Sequence, residues 1–127
     1  MMPLNWIIEP DLRLVTARAE GTLSAEDIKA YLESIAAEGG MPFAKLFNIS
    51  EADAALTVAD LQALGRSIRQ YAIDGYGPLG PLAIVVGQGQ SHFQAAFFAD
   101  ASPTSRPLRI FRDARQAREW LVELRRS

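Results

Sequence analysis

The stretch Leu46–Gly65, LFNISEADAALTVADLQALG, decides the architecture. Its first residues, Leu46-Phe47-Asn48-Ile49, are short and almost wholly apolar, as a strand covered on both faces should be. Ser50–Leu56 reads as a polar loop. Thr57-Val58-Ala59-Asp60 then has the shape of a capping box. Its hydroxyl can accept from a backbone N–H, and its acid can reach back to the N–H of the cap. Leu61, Leu64, Ile68 and Tyr71 follow at helical spacing, which predicts a helix ending near Asp74. A buried strand feeding a capped helix is the repeating unit of a parallel α/β sheet.

The same unit recurs on either side. Upstream, the runs Leu4–Glu9 and Leu12–Ala19 flank the turn residues Pro10-Asp11 and predict a hairpin that Gly21 ends. Ser24-Ala25-Glu26-Asp27 is a second capping box. Behind it Ile28, Tyr31, Leu32 and Ile35 share one helix face, and Gly39-Gly40 stops the helix. Downstream, Gly75–Pro81 breaks the chain and Leu82–Val86 reads as a second buried strand. A helix is expected over Ser91–Ala101, with Phe93, Ala96 and Phe97 inward. Leu108–Phe111 is the last strand, and Asp113 caps a helix with the stripe Ala117, Trp120, Leu121 and Leu124. The predicted order is ββαβαβαβα: an α/β fold with a mixed, mostly parallel five-stranded sheet and four helices, forming a single domain over residues 1–127.

Composition narrows the function classes. The chain has 127 residues, 49% hydrophobic and 22% charged, the mixture of a folded globule rather than a disordered tail. It has no Cys, which excludes disulfides, thiolate metal sites and a Cys nucleophile. A net charge of -2 argues against nucleic acid, whose phosphates need a basic face. The late arginines Arg106, Arg109, Arg112, Arg115, Arg118, Arg125 and Arg126 read as a solvated face. No run approaches the roughly 18 apolar residues of a membrane span. Met1–Trp6 lacks the pattern of a secretory leader, and the expected location is cytoplasmic.

Two places could carry chemistry. Ser50 and Thr57 flank the junction of strand and helix and are candidate phosphoacceptors, or members of an interaction loop. Strand ends of open α/β sheets host ligands, and helix N-termini favour negative charge. Against this, a capping role already explains Thr57, a turn explains Ser50, and Glu51, Asp53 and Asp60 would repel a phosphate. Phe93, Phe97 and Phe98 form the second candidate, an apolar pocket; neighbours on a helix point about 100° apart, so Phe97 and Phe98 cannot share one narrow stripe. Gly87-Gln88-Gly89 opens like a dinucleotide fingerprint, but His92 stands where the third glycine belongs. His92 is the sole histidine and has no evident partner for catalysis. No catalytic residue, metal ligand or cofactor is expected.

Trp6-Ile7-Ile8, Glu20-Gly21-Thr22-Leu23-Ser24, Phe47-Asn48-Ile49-Ser50 and Arg109-Ile110-Phe111-Arg112-Asp113, with Ala117 and Trp120-Leu121, are similar to the anchors of SpoIIAA-like proteins. These belong to the wider STAS group, the sulfate transporter and anti-sigma-factor antagonist domains. The resemblance spans nearly the whole chain. It implies a small domain with a mixed sheet and a functional surface at the start of the second helix. Anti-sigma-factor antagonists carry a phosphorylatable Ser there, in an Asp-Ser-Ser-Gly-like motif. Here Thr57 is the hydroxyl in that place, the Ser-Gly pair is missing, and Asn48 replaces the Asp at the strand end. Some relatives are compared with Sec14-type lipid-binding domains. The expectation is a non-enzymatic regulatory or protein-interaction module, switched near the second helix, with an unidentified protein partner and self-association as a homodimer. The alternative is a carrier of an apolar small molecule or lipid in a pocket between sheet and helices.

Overall fold

The computed structural model describes residues 3–54, 56–88 and 106–126. Strands β1 (Leu4–Glu9) and β2 (Leu14–Leu23) pair antiparallel, from Leu4 opposite Ala19 to Glu9 opposite Leu14. A 3-10 turn, Pro10–Leu12, joins them. Arg13 closes that turn at φ 49°, donating its N–H to the Pro10 carbonyl at 3.1 Å. Strands β3 (Ala44–Ala54), β4 (Leu82–Val85) and β5 (Leu108–Phe111) follow. The sheet order is β1-β2-β3-β4-β5, with every pairing after the first parallel.

Two boundaries differ from the sequence reading, for one reason. Gly21, at φ +70°, does not end β2, and the segment after Ile49 is not yet a loop. Beyond an irregularity at Arg18–Glu20, Glu20 to Leu23 pair with Glu51 to Ala54. Glu51 and Asp53 look like loop residues in sequence, but they alternate outward around a buried Ala52. Ladder hydrogen bonds to a long partner keep the chain extended where its composition alone would release it.

Both expected capping boxes form. At α1 (Ala25–Ala37) the Ser24 hydroxyl accepts from the Asp27 N–H at 3.2 Å, and Asp27 accepts from the Ser24 N–H at 3.0 Å. At α2 (Val58–Ile73) Thr57 and Asp60 do the same, both at 3.0 Å. The third helix among the described residues is α3 (Ala114–Arg126). The helix expected over residues 91–101, with Phe93, Phe97, Phe98 and His92, lies outside the described residues.

Strand alternation divides the core into two layers. Val15, Ala17, Ile49, Ile84 and Val86 face α1 and α2, where Ile35, Leu64 and Ile68 meet them. Leu14, Leu46, Ala83 and Val85 face Ala117 and Leu121 of α3. The α3 helix lies mainly over β3, β4 and β5 and reaches Leu14 of β2. The same face of β1 therefore stays open, and Ile7 is 66% exposed there. On the opposite side α2 packs on α1 and, through Leu64 and Ile68, on the strands, and a cavity lies between α1, α2 and the sheet.

Gly80, just ahead of β4, lies close against the backbone that enters β3. Its N–H donates to the Met41 carbonyl at 3.0 Å, and a Cβ built on it would lie 2.1 Å from the Phe43 oxygen. Gly80→Ala is therefore expected to lower unfolding free energy by about 2 kcal/mol or more, since backbone must move. Urea denaturation followed by circular dichroism checks this.

Candidate functional site

The space beneath α2 is a cavity of about 60 Å³. Its walls are built from every element of that layer. Helix α1 supplies Ile28, Tyr31 and Leu32, and α2 supplies Leu61 and Ile68. The strands contribute Leu23, Lys45, Phe47, Leu82 and Ile84, and Arg106 enters from just ahead of β5. Most of this surface is apolar. Three polar groups interrupt it: an amine, a guanidinium and a phenol.

Lys45 is 3% exposed and is the one buried charged residue among those described. It sits on β3 in phase with Phe47 and Ile49, so the pleat aims it at the helices. Its Nζ donates to the carbonyl of Met41 at 2.6 Å and to that of Phe43 at 2.8 Å. An ammonium has three protons, so these carbonyls use two of them. Burial, reinforced by Arg106, brings the Lys45 pKa down from 10.5 to about 7. Burial also lowers Arg106, to about 10, with Tyr31 acting weakly in the other direction.

Tyr31 is fixed by its ring. Trp6 meets it edge-on at a centroid distance of 5.4 Å and Phe47 at 5.5 Å. The ring is saturated with contacts, yet its hydroxyl is buried without a hydrogen-bond partner. Burial pushes the phenol well above its usual range, so it remains a neutral donor. The Nε of Arg106 is likewise buried and unbonded. Orphans of this kind cost about 1–3 kcal/mol each, which makes two beside one cavity conspicuous.

The sites expected from sequence fall elsewhere. Ser50 lies on β3, half-buried, and both its N–H and its hydroxyl donate to Asn48 Oδ1, at 3.0 and 2.6 Å. Thr57 is exposed at the start of α2, beyond the end of β3 at Ala54. The strand separates the two by roughly 13 Å between Ser50 and Ala54, so they do not form one constellation. A phosphate on Thr57 would have to displace its reciprocal bonds with Asp60 and face that carboxylate. The apolar pocket was expected on Phe93, Phe97 and Phe98, which lie outside the described residues; the cavity wall uses Tyr31 and Phe47 instead.

Sequence reasoning passed over all three polar residues of the cavity. Tyr31 counted as core, and Arg106 as one of a solvated run. For Lys45 a signal was present: a cation at period 2 with Phe47 and Ile49 has no route to solvent once that face is buried. Among the described residues no group of three or more His, Asp or Glu side chains gathers to hold a metal, and no helix is long and apolar enough to cross a membrane.

A five-stranded sheet with one antiparallel edge strand, two helices on one face and a third on the other defines a SpoIIAA-like fold of the STAS type, and the comparisons agree. Among solved structures the chain is similar to an uncharacterized protein of the DUF3478 family with a SpoIIAA-like fold from Shewanella loihica PV-4. The TM-score is 0.59 and the identity 26%, over 95% of this chain and 95% of that one. No family model and no curated protein matches the sequence.

The buried amine predicts a pH dependence. Below about pH 7 folded and unfolded chains both hold the Lys45 proton, and the burial penalty is borne in full. Between about 7 and 10.5 only the unfolded chain holds it, so unfolding binds a proton and stability rises with pH. The full rise is on the order of 4 kcal/mol. Lys45→Met should flatten it, as read from urea midpoints between about pH 6 and pH 9.5, below the range where Tyr31 contributes.

Proposed function

We propose that this chain is a non-enzymatic binding module that takes a small, largely apolar molecule in the cavity between the sheet and α1 and α2. The observation that carries the reading is the cavity itself, walled by Leu61, Ile68, Leu82 and Ile84. A void of about 60 Å³ costs about 1.4 kcal/mol if left empty, and an occupant recovers that. The volume also sets the size of the occupant. It exceeds the roughly 10–15 Å³ that admits one water, and it falls below the roughly 300 Å³ at which drug-sized sites begin. A body of a few carbons fits; a long acyl chain requires α2 to move outward.

Titration with butan-1-ol and benzene, followed by methyl NMR, tests this. Shifts confined to Leu61, Ile68, Leu82 and Ile84 are expected, and Leu61→Phe, which fills the void, should abolish them. Unmoved cavity methyls would sink the reading.

A protein-contact role is favoured by a different observation, the open face of edge strand β1 with Ile7 two-thirds exposed. On that reading the wild-type chain self-associates in sedimentation and Ile7→Glu does not. A phosphate switch at Thr57 has less support, because Asp60 already occupies the reciprocal cap.

A further inference from the structure

Resting on the cavity reading, we infer that the ligand is a short-chain organic acid whose carboxylate is held by the Arg106 guanidinium, the Lys45 ammonium and the Tyr31 hydroxyl, with its apolar body against Leu61 and Ile68.

The charge balance of the cavity requires it. Lys45 is buried, the Nε of the half-buried Arg106 is buried beside the same cavity, and the guanidinium disfavours the charge of the amine. Buried charges are ordinarily paired, because an unpaired one loses its hydration for nothing. Ion pairs among the described residues involve Arg18 and Arg115, both at the exposed surface, and neither cation of the cavity. Among the described residues no carboxylate contributes to the electrostatics of Lys45, Tyr31 or Arg106. The wall therefore holds an excess of positive charge that one anion would neutralise.

The hydrogen-bond balance agrees. The Tyr31 hydroxyl and the Arg106 Nε are buried donors with nothing to donate to, and the Lys45 ammonium has one proton beyond those given to Met41 and Phe43. Three unused donors on a small apolar wall match the several acceptor positions of one carboxylate. A phosphate is a larger head for a cavity of about 60 Å³. The short body follows from the volume.

Proton linkage follows from the same groups. Among the described residues, Tyr31 from α1 and Arg106 ahead of β5 are the titratable and charged groups on the cavity wall around Lys45; α2 and β4 present Leu61, Ile68, Leu82 and Ile84. A bound carboxylate favours the charged amine, so binding takes up a proton above about pH 7 and weakens as pH rises.

The test compares butanoate, butan-1-ol and butyl phosphate by calorimetric titration at about pH 6 and pH 9. Butanoate should bind ~tenfold or more tightly than butan-1-ol at the lower pH, and the preference should shrink at the higher one. Arg106→Gln should reduce the preference to near unity. Tyr31→Phe separates binding from structure: it removes an orphan hydroxyl, so it should raise the stability of the free protein while weakening butanoate ~threefold or more. Equal affinity for butanoate and butan-1-ol would overturn the acid assignment and leave the cavity reading intact. Binding of neither would overturn both. Tighter binding of butyl phosphate than butanoate would replace the carboxylate by a phosphate and overturn the assignment as stated.

Discussion

An ammonium on the inner face of β3 must find oxygen within an apolar layer, and much of the surrounding structure answers that need. The oxygens come from the backbone of Met41 and Phe43, respectively four and two residues before Lys45 itself. For those carbonyls to point inward, the chain between α1 and β3 must curl beneath the sheet edge, and Gly80 must approach it without a side chain. The Met41 carbonyl accepts from both Lys45 and Gly80, so one oxygen links the entry to β3 with the entry to β4. A leucine at position 45 would have packed with no such apparatus, which is why the amine reads as a functional cost.

The two layers of the fold differ in kind. The α3 side is filled by Ala117 and Leu121 against Leu46, Ala83 and Val85, with Trp120 on Phe111 at 5.6 Å sealing its margin. Ala83 on the strand and Ala117 on the helix are the small residues of this layer. On the other side Tyr31, Phe47 and Trp6 build a bulky aromatic wall near β1, and α2 rests on α1 beside it. The rings of Tyr31 and Phe47 themselves form part of the cavity wall. The cavity thus lies on the side that carries the aromatic cluster, opposite the layer packed against α3.

How far the sequence reveals this depends on the range of the forces involved. The capping boxes at Ser24 and Thr57 are local, involving residues three apart, and they form as the spacing says. The buried character of Leu82–Val85 is equally plain, because both its faces are covered. The length of β3 is not local. Glu51 and Asp53 resemble a loop until β2 is known to run alongside. The same holds for the cavity: Tyr31 is one more apolar stripe residue and Arg106 one more late arginine until the sheet brings them to Lys45. The phenylalanines that seemed to mark an apolar pocket lie outside the described residues, and the expected fold stands without them. What a chain can bind here is decided by contacts between elements far apart in sequence, which periodicity does not carry.

The two tryptophans occupy different layers. Trp6 touches Tyr31 at the wall of the cavity, while Trp120 lies on Phe111 beneath α3. The chain therefore contains a separate intrinsic fluorophore for each face of its sheet. Emission from Trp6 follows events around the cavity and emission from Trp120 follows the integrity of the opposite layer. With one indole replaced at a time, light alone distinguishes a molecule entering the cavity from a helix leaving the sheet.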